Sequence, residues 1–118
     1  MSVDKHHQLR QRTKAFALRI MRMCRTIPNT REGNIVNSQI LRSATSMAAN
    51  YRAAGLARSK AEFISKLGIV VEEADETAFW LELLGDHGIV PAPKLRDLLA
   101  EGNQLVAIFL ASRKTARG

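Results

Sequence analysis

Ser38 to Leu67 reads SQILRSATSMAANYRAAGLARSKAEFISKL, and this stretch decides the fold. Its first part, to Ala54, has a helical period and is crowded with small residues. Ser43, Ala44, Ser46, Ala48, Ala49, Ala53 and Ala54 let such a helix approach a neighbour closely. A break at 55–58 follows. Ser59 and Glu62 then form an S-x-x-E capping pattern, in which the serine accepts from a backbone N–H and the glutamate reaches back to another. Two helices joined by so short a break pack side by side.

The same period extends outward in both directions, with no sustained alternation of the strand kind. A first helix is predicted over about 4–27, with Leu9, Thr13, Phe16, Ile20, Met23 and Ile27 on one seam. Pro28 ends it. The second spans about 34–54, with Asn34 as N-cap, Gly55 as stop, and Val36, Ile40, Ala44, Met47, Tyr51 and Ala54 inward. The third spans 60–86 along Phe63, Leu67, Val70, Ala74, Thr77, Leu81 and Leu84. The fourth spans 93–114, opened by Pro93 and lined by Leu95, Leu98, Gly102, Leu105 and Phe109. Short connections between such helices give one all-α domain over 1–118, an up-down-up-down antiparallel four-helix bundle. Ile64, Val71, Phe79, Trp80 and Leu83 lie off the third seam. They belong either to a broad buried face or, for Phe79, Trp80 and Leu83 above all, to an interface with another subunit.

Composition narrows the function. A chain of 118 residues is one domain by length, and aromatics at 5% favour helices over a sandwich or barrel. A single cysteine, Cys24, has no internal partner and points to a reducing compartment. No apolar run approaches the roughly 20 residues of a membrane span, and the charged start lacks a secretory signal, so a cytoplasmic location is expected. Residues 1–60 carry twelve lysines and arginines against two acids, a surplus of ten, whereas 61–118 carry six against nine, a deficit of three. Such asymmetry suits either nucleic acid or self-assembly of basic face on acidic face.

Lys5, Arg12 and Arg19 recur at steps of seven, Arg22 is one turn beyond, and Arg25 adds to them. Arg12, Arg19, Arg22, Arg42, Arg52, Arg58 and Lys60 are the candidate contacts to RNA or DNA, since guanidinium forks match phosphate geometry. Tyr51 is the only aromatic near them and sits on a core seam, so backbone and shape contacts are expected rather than base reading. The competing reading pairs these cations with Glu72, Glu73, Asp75 and Glu76 of a neighbour. No metal site is expected: a carboxylate-bridged centre needs Glu-x-x-His on two helices, and His6, His7 and His87 fall at the chain start and in a loop. Cys24 has Arg22 and Arg25 nearby but no histidine, and reads as a packing residue rather than a nucleophile. Gly85 to Gly88 is a turn, not a phosphate loop. A basic amphipathic stretch at 5–25 also suits a membrane surface, but the bundle core needs the same stripe.

Leu41 to Asn50, LRSATSMAAN, with Ala57 to Phe63, ARSKAEF, and the paired acids before WLELL at Trp80 to Leu84, resembles the 23S rRNA intervening-sequence family. The resemblance implies a four-helix bundle assembled as a ring, usually a homopentamer with a central channel. An RNA-related role is implied by members encoded within rRNA genes. A more distant relative, the accessory protein of diversity-generating retroelements, works with a reverse transcriptase and binds nucleic acid. Ala53 stands where family members usually have Glu, which would leave Arg42 or Arg52 free. The resulting expectation is a non-enzymatic, cofactor-free oligomeric scaffold that binds nucleic acid through its first two helices. The alternative is an assembly module with protein partners alone.

Overall fold

The computed structural model describes residues 3–118 and is 44 × 22 × 20 Å in extent. Four helices follow in chain order: α1 (Val3–Cys24), α2 (Arg31–Ala54), α3 (Lys60–Asp86) and α4 (Ala92–Arg117). Each packs on its sequence neighbour, and α4 closes back on α1. The diagonal pairs, α1 with α3 and α2 with α4, do not approach at the backbone. This is the expected four-helix bundle. One buried cluster runs through all four helices, with Phe16, Ile40, Tyr51, Leu67, Leu84 and Phe109 among its largest members.

The helix boundaries follow local hydrogen bonding and differ from the sequence expectation in three places. α1 stops at Cys24 rather than 27, because the chain tightens into i to i−3 bonds before Pro28: Thr26 N donates to the Met23 carbonyl and Ile27 N to that of Cys24. α2 starts at Arg31 rather than Asn34. Thr30 is the N-cap, its hydroxyl accepting from Gly33 N at 3.0 Å, and Asn34 lies inside the first turn with its side chain donating to Asn29. α4 continues to Arg117 rather than 114. Ser59 caps α3 as its spacing predicts, accepting from Glu62 N at 3.0 Å. The returning arm of the capping box lands one residue early: Glu62 accepts from the Arg58 backbone N–H at 3.4 Å, not from Ser59.

The small residues of α2 do different jobs. Ser43, Ala44 and Ala54 are buried, and Ser43 Oγ lies 2.8 Å from Thr77 Oγ1 of α3 in a fully buried contact. Ser46 instead closes a local loop, its carbonyl and hydroxyl accepting from Asn50 Nδ2 at 2.9 and 3.0 Å. Ala49 is exposed. Gly55 stops α2 without a positive φ, at −65°. What it supplies is space, since a side chain there would collide with the His6 ring of α1. That ring stacks on Tyr51 at 4.8 Å, and Tyr51 packs in turn on Phe109 at 5.3 Å.

Gly33 is buried where a Cβ would run into the Pro28 carbonyl oxygen and the capping Thr30 hydroxyl. Gly33→Ala is expected to destabilise the bundle by about 1–3 kcal/mol, the usual range for overpacking. Urea unfolding measures this, and a variant as stable as the parent would remove steric fit as the reason for glycine.

Candidate nucleic-acid interface

The cations singled out by spacing do not form one surface. Lys5, Arg12 and Arg19, at steps of seven, share the side of α1 that turns toward α4. Arg12 Nε donates to Glu101 Oε2 at 2.8 Å and Nη2 to Oε1 at 2.6 Å, with Gln104 accepting from Nη2 at 2.8 Å. These hydrogen bonds are the main reason that the Glu101 carboxyl titrates below its ordinary value. Burial opposes them, and the charges of Arg12 and then Arg19 add to the lowering. Arg12 is thus engaged inside its own chain.

Arg42 is engaged as well, which corrects the expectation that it might be free. Its Nη1 donates to Glu73 at 2.9 Å and its Nη2 to Glu76, both on α3. Glu76 also accepts from Trp80 Nε1 at 3.0 Å. That bond, then Arg42, lowers the Glu76 carboxyl against the opposing effect of burial. The acids proposed to face a neighbour's cations therefore bind, in part, a cation of the same chain. Arg58 makes a loose pair with Glu62 at 3.6 Å on the surface. Arg52, Arg58 and Lys60 cluster at the turn between α2 and α3, at the opposite end of the bundle from Arg22 and Arg25.

A continuous basic stripe does exist, on the outer face of α1. Lys14, Leu18, Met21 and Arg22 are all exposed and fall within one helical face, which Arg25 extends just past the end of α1. Lys14, Arg19, Arg22 and Arg25 make no ion pair among the described residues. Leu18 and Met21 are 40% and 47% exposed between them. Spacing by sevens misses Lys14 and Arg25, because they follow Arg12 by two residues and Arg19 by six, about 200° and 240° around a helix. The 4-3-4 spacing from Lys14 through Leu18 and Met21 to Arg25 is the signal that finds them.

On the other side of the bundle, α3 shows Glu72, Asp75, Phe79, Glu82, Leu83 and Asp86 to solvent. Phe79 is 47% exposed and Leu83 36%; Trp80 is half-buried, edge-on to Phe79 at 5.1 Å. The faces of α1 and α3 are diagonal, so they point in opposite directions. Cys24 is buried, and burial pushes its thiol up to about 11, the reverse of activation. Among the described residues no group of three or more His, Cys, Asp and Glu is placed to hold a metal.

The sequence matches the 23S rRNA-intervening sequence protein family over residues 5–111. The chain belongs to that family. A crystal structure of a protein of unknown function from the S23 ribosomal protein family of Bacteroides thetaiotaomicron is similar to it. It is 32% identical over 89% of this chain and 97% of that one, with a TM-score of 0.82. No curated protein matches the sequence. No helix among the described residues is long and apolar enough to cross a membrane.

A lowered carboxyl stabilises the fold above its unfolded value, near 4.3 for glutamate, and that contribution is lost as pH falls through the lower folded value. Stability is therefore expected to drop on acidification below about pH 4, and Glu101→Gln to flatten this limb. Unfolding midpoints across that pH range compare the two proteins. An acid limb of equal slope in the variant would show that the Arg12 pair contributes nothing to it.

Proposed function

We propose that this protein is a non-enzymatic, self-assembling scaffold that binds the phosphate backbone of RNA through the outer face of α1. One observation carries the reading: Lys14 and Arg22 on the outer face of α1, and Arg25 just past its end, are exposed and make no ion pair among the described residues. Phosphate recognition is strongest on such unpaired cations, since a carboxylate partner already offsets much of the charge of a paired one. The rest of the candidate set contributes less. Arg12 and Arg42 are committed to Glu101, Glu73 and Glu76, whereas Arg52, Arg58 and Lys60 form a second cationic spot at the far turn. Tyr51 is wholly buried and offers no face to a base. The expected contacts are therefore to backbone and shape, and the matched family, named for an rRNA intervening sequence, favours RNA as the polymer.

The assembly reading rests on a separate observation, the charge complementarity of two diagonal faces. The α3 face carries Phe79 and Leu83 among acids, and the α1 face carries Leu18 and Met21 among bases. A contact between opposite faces of identical subunits is heterologous, and it closes into a ring when the rotation allows. A homopentamer is the ring that the family resemblance suggests. If the α1 face is used in this way, assembly and RNA compete for it.

Replacing Lys14, Arg22 and Arg25 together by alanine should weaken binding to a labelled structured RNA. It should also reduce the slope of log affinity against log salt by about one for each phosphate that the variant leaves unbound. Fluorescence anisotropy titrated with salt measures both, and unchanged affinity in the folded variant would remove α1 from the interface. For assembly, Phe79→Glu with Leu83→Glu should lower the oligomer mass seen by light scattering, while Phe16 and the rest of the core stay intact. An unchanged mass would exclude the α3 face.

A further inference from the structure

The seam between α1 and α4 is closed in its middle and open at one end. It closes where Gly102 leaves just enough room for the Phe16 ring. One turn further, Arg12 binds Glu101 and Gln104. Beyond Arg12, toward the start of α1 and the end of α4, a cleft of about 750 Å³ separates the helices, with Phe63 of α3 at its side. The side chains explain the gap. α4 meets α1 here with Ala111, Ser112, Thr115 and Ala116, which are too short to reach across. α1 answers with Lys5, Gln8 and Arg12, whose polar ends cannot fill an apolar seam. Leu9, Phe63 and Ile108 are left as an apolar wall. The volume falls in the range of roughly 300–1,000 Å³ typical of small-molecule sites, which are mostly apolar with a few placed polar groups.

The polar groups are placed. Arg12 is held by its Nε and Nη2, and Nη1 makes no hydrogen bond among the described residues. A guanidinium fixed on one edge is a preorganised donor on the other. Lys5 stands on the same wall, about 10 Å along the helix axis. Among the described residues no acidic side chain lines the cleft itself, and the carboxylate nearest Arg12 is the Glu101 that holds it from behind. An apolar wall with an oriented guanidinium donor at its rim is complementary to an apolar chain that ends in an anion.

We propose that the cleft binds a free single-chain amphiphilic carboxylate of the fatty-acid kind. The carboxylate accepts from Arg12 Nη1, and the chain lies along Leu9, Phe63 and Ile108. This site is separate from the outer face of α1 and does not depend on the RNA reading.

Isothermal titration with dodecanoate, kept below its micelle-forming concentration, tests it on the full chain, with 1-dodecanol as the uncharged match. Ala111→Trp fills the cleft from an exposed position on α4, and Gln8→Trp does so from α1 should the first variant fold poorly. The expected result is saturable binding of dodecanoate, weakened about tenfold or more by either tryptophan, and about tenfold weaker binding of the alcohol. Three results would overturn the proposal: no binding to the parent protein, equal binding by folded tryptophan variants, or equal binding of the alcohol. Uptake into anionic vesicles without binding of free dodecanoate would also overturn it, since the ligand would then be a membrane surface.

Discussion

The bundle depends on how closely α2 can lie against α3. Two buried hydroxyls meet there, Ser43 and Thr77, at 2.8 Å. Each has a helix carbonyl within reach as well, that of Ile40 for Ser43 and that of Glu73 for Thr77. A single relay of donors satisfies both: one hydroxyl gives its proton to its own helix and accepts the other's. The contact favours one geometry, because a slip of the helices loses the bond between the two hydroxyls and leaves each with its own helix carbonyl alone. The exposed side of the same seam carries Arg42 between Glu73 and Glu76, so the register is set inside by hydrogen bonds and marked outside by charge.

This register distributes the charges. With α2 and α3 in contact, α1 and α3 become diagonal partners, and the basic face of α1 and the acidic face of α3 end on opposite sides of one molecule. The chain does not neutralise itself by folding: it pairs a few cations internally and leaves whole faces of one sign. Such a charge distribution steers partners and favours association in a defined orientation. Tyr51 plays no part in that surface, unlike Phe79. Tyr51 is consumed by the stack from His6 to Phe109, and His6 in turn fits only because Gly55 has no side chain.

The α1–α4 seam is the weakest part of the design, and the sequence shows why. The apolar series of α4 ends at Phe109, and nothing larger than Ser112 or Thr115 follows on the facing side. The helix nonetheless continues to Arg117, because backbone bonds propagate it without a core beneath. Extra helix without extra filler makes a cleft.

Fold class, helix number and most of the core were legible in the sequence by itself. Phe16, Ile40, Met47, Tyr51, Leu67 and Leu84 stand at helical intervals, and an apolar residue at such an interval has only the core to go to. Boundaries were less legible where two capping residues competed, as Thr30 did with Asn34, because either side chain can satisfy the same backbone donors. The functional surface was legible only as a surplus of charge. Lys5, Arg12 and Arg19 are spaced like a stripe, yet that stripe faces α4, and Glu101, 89 positions after Arg12, takes its central member. Which cations are spent and which remain depends on pairs far apart in the chain, and local spacing carries no record of them. That division between Arg12 and Arg42 on one side and Lys14, Arg22 and Arg25 on the other was decided by the tertiary structure, because only helix packing brings a distant carboxylate within reach of a given guanidinium.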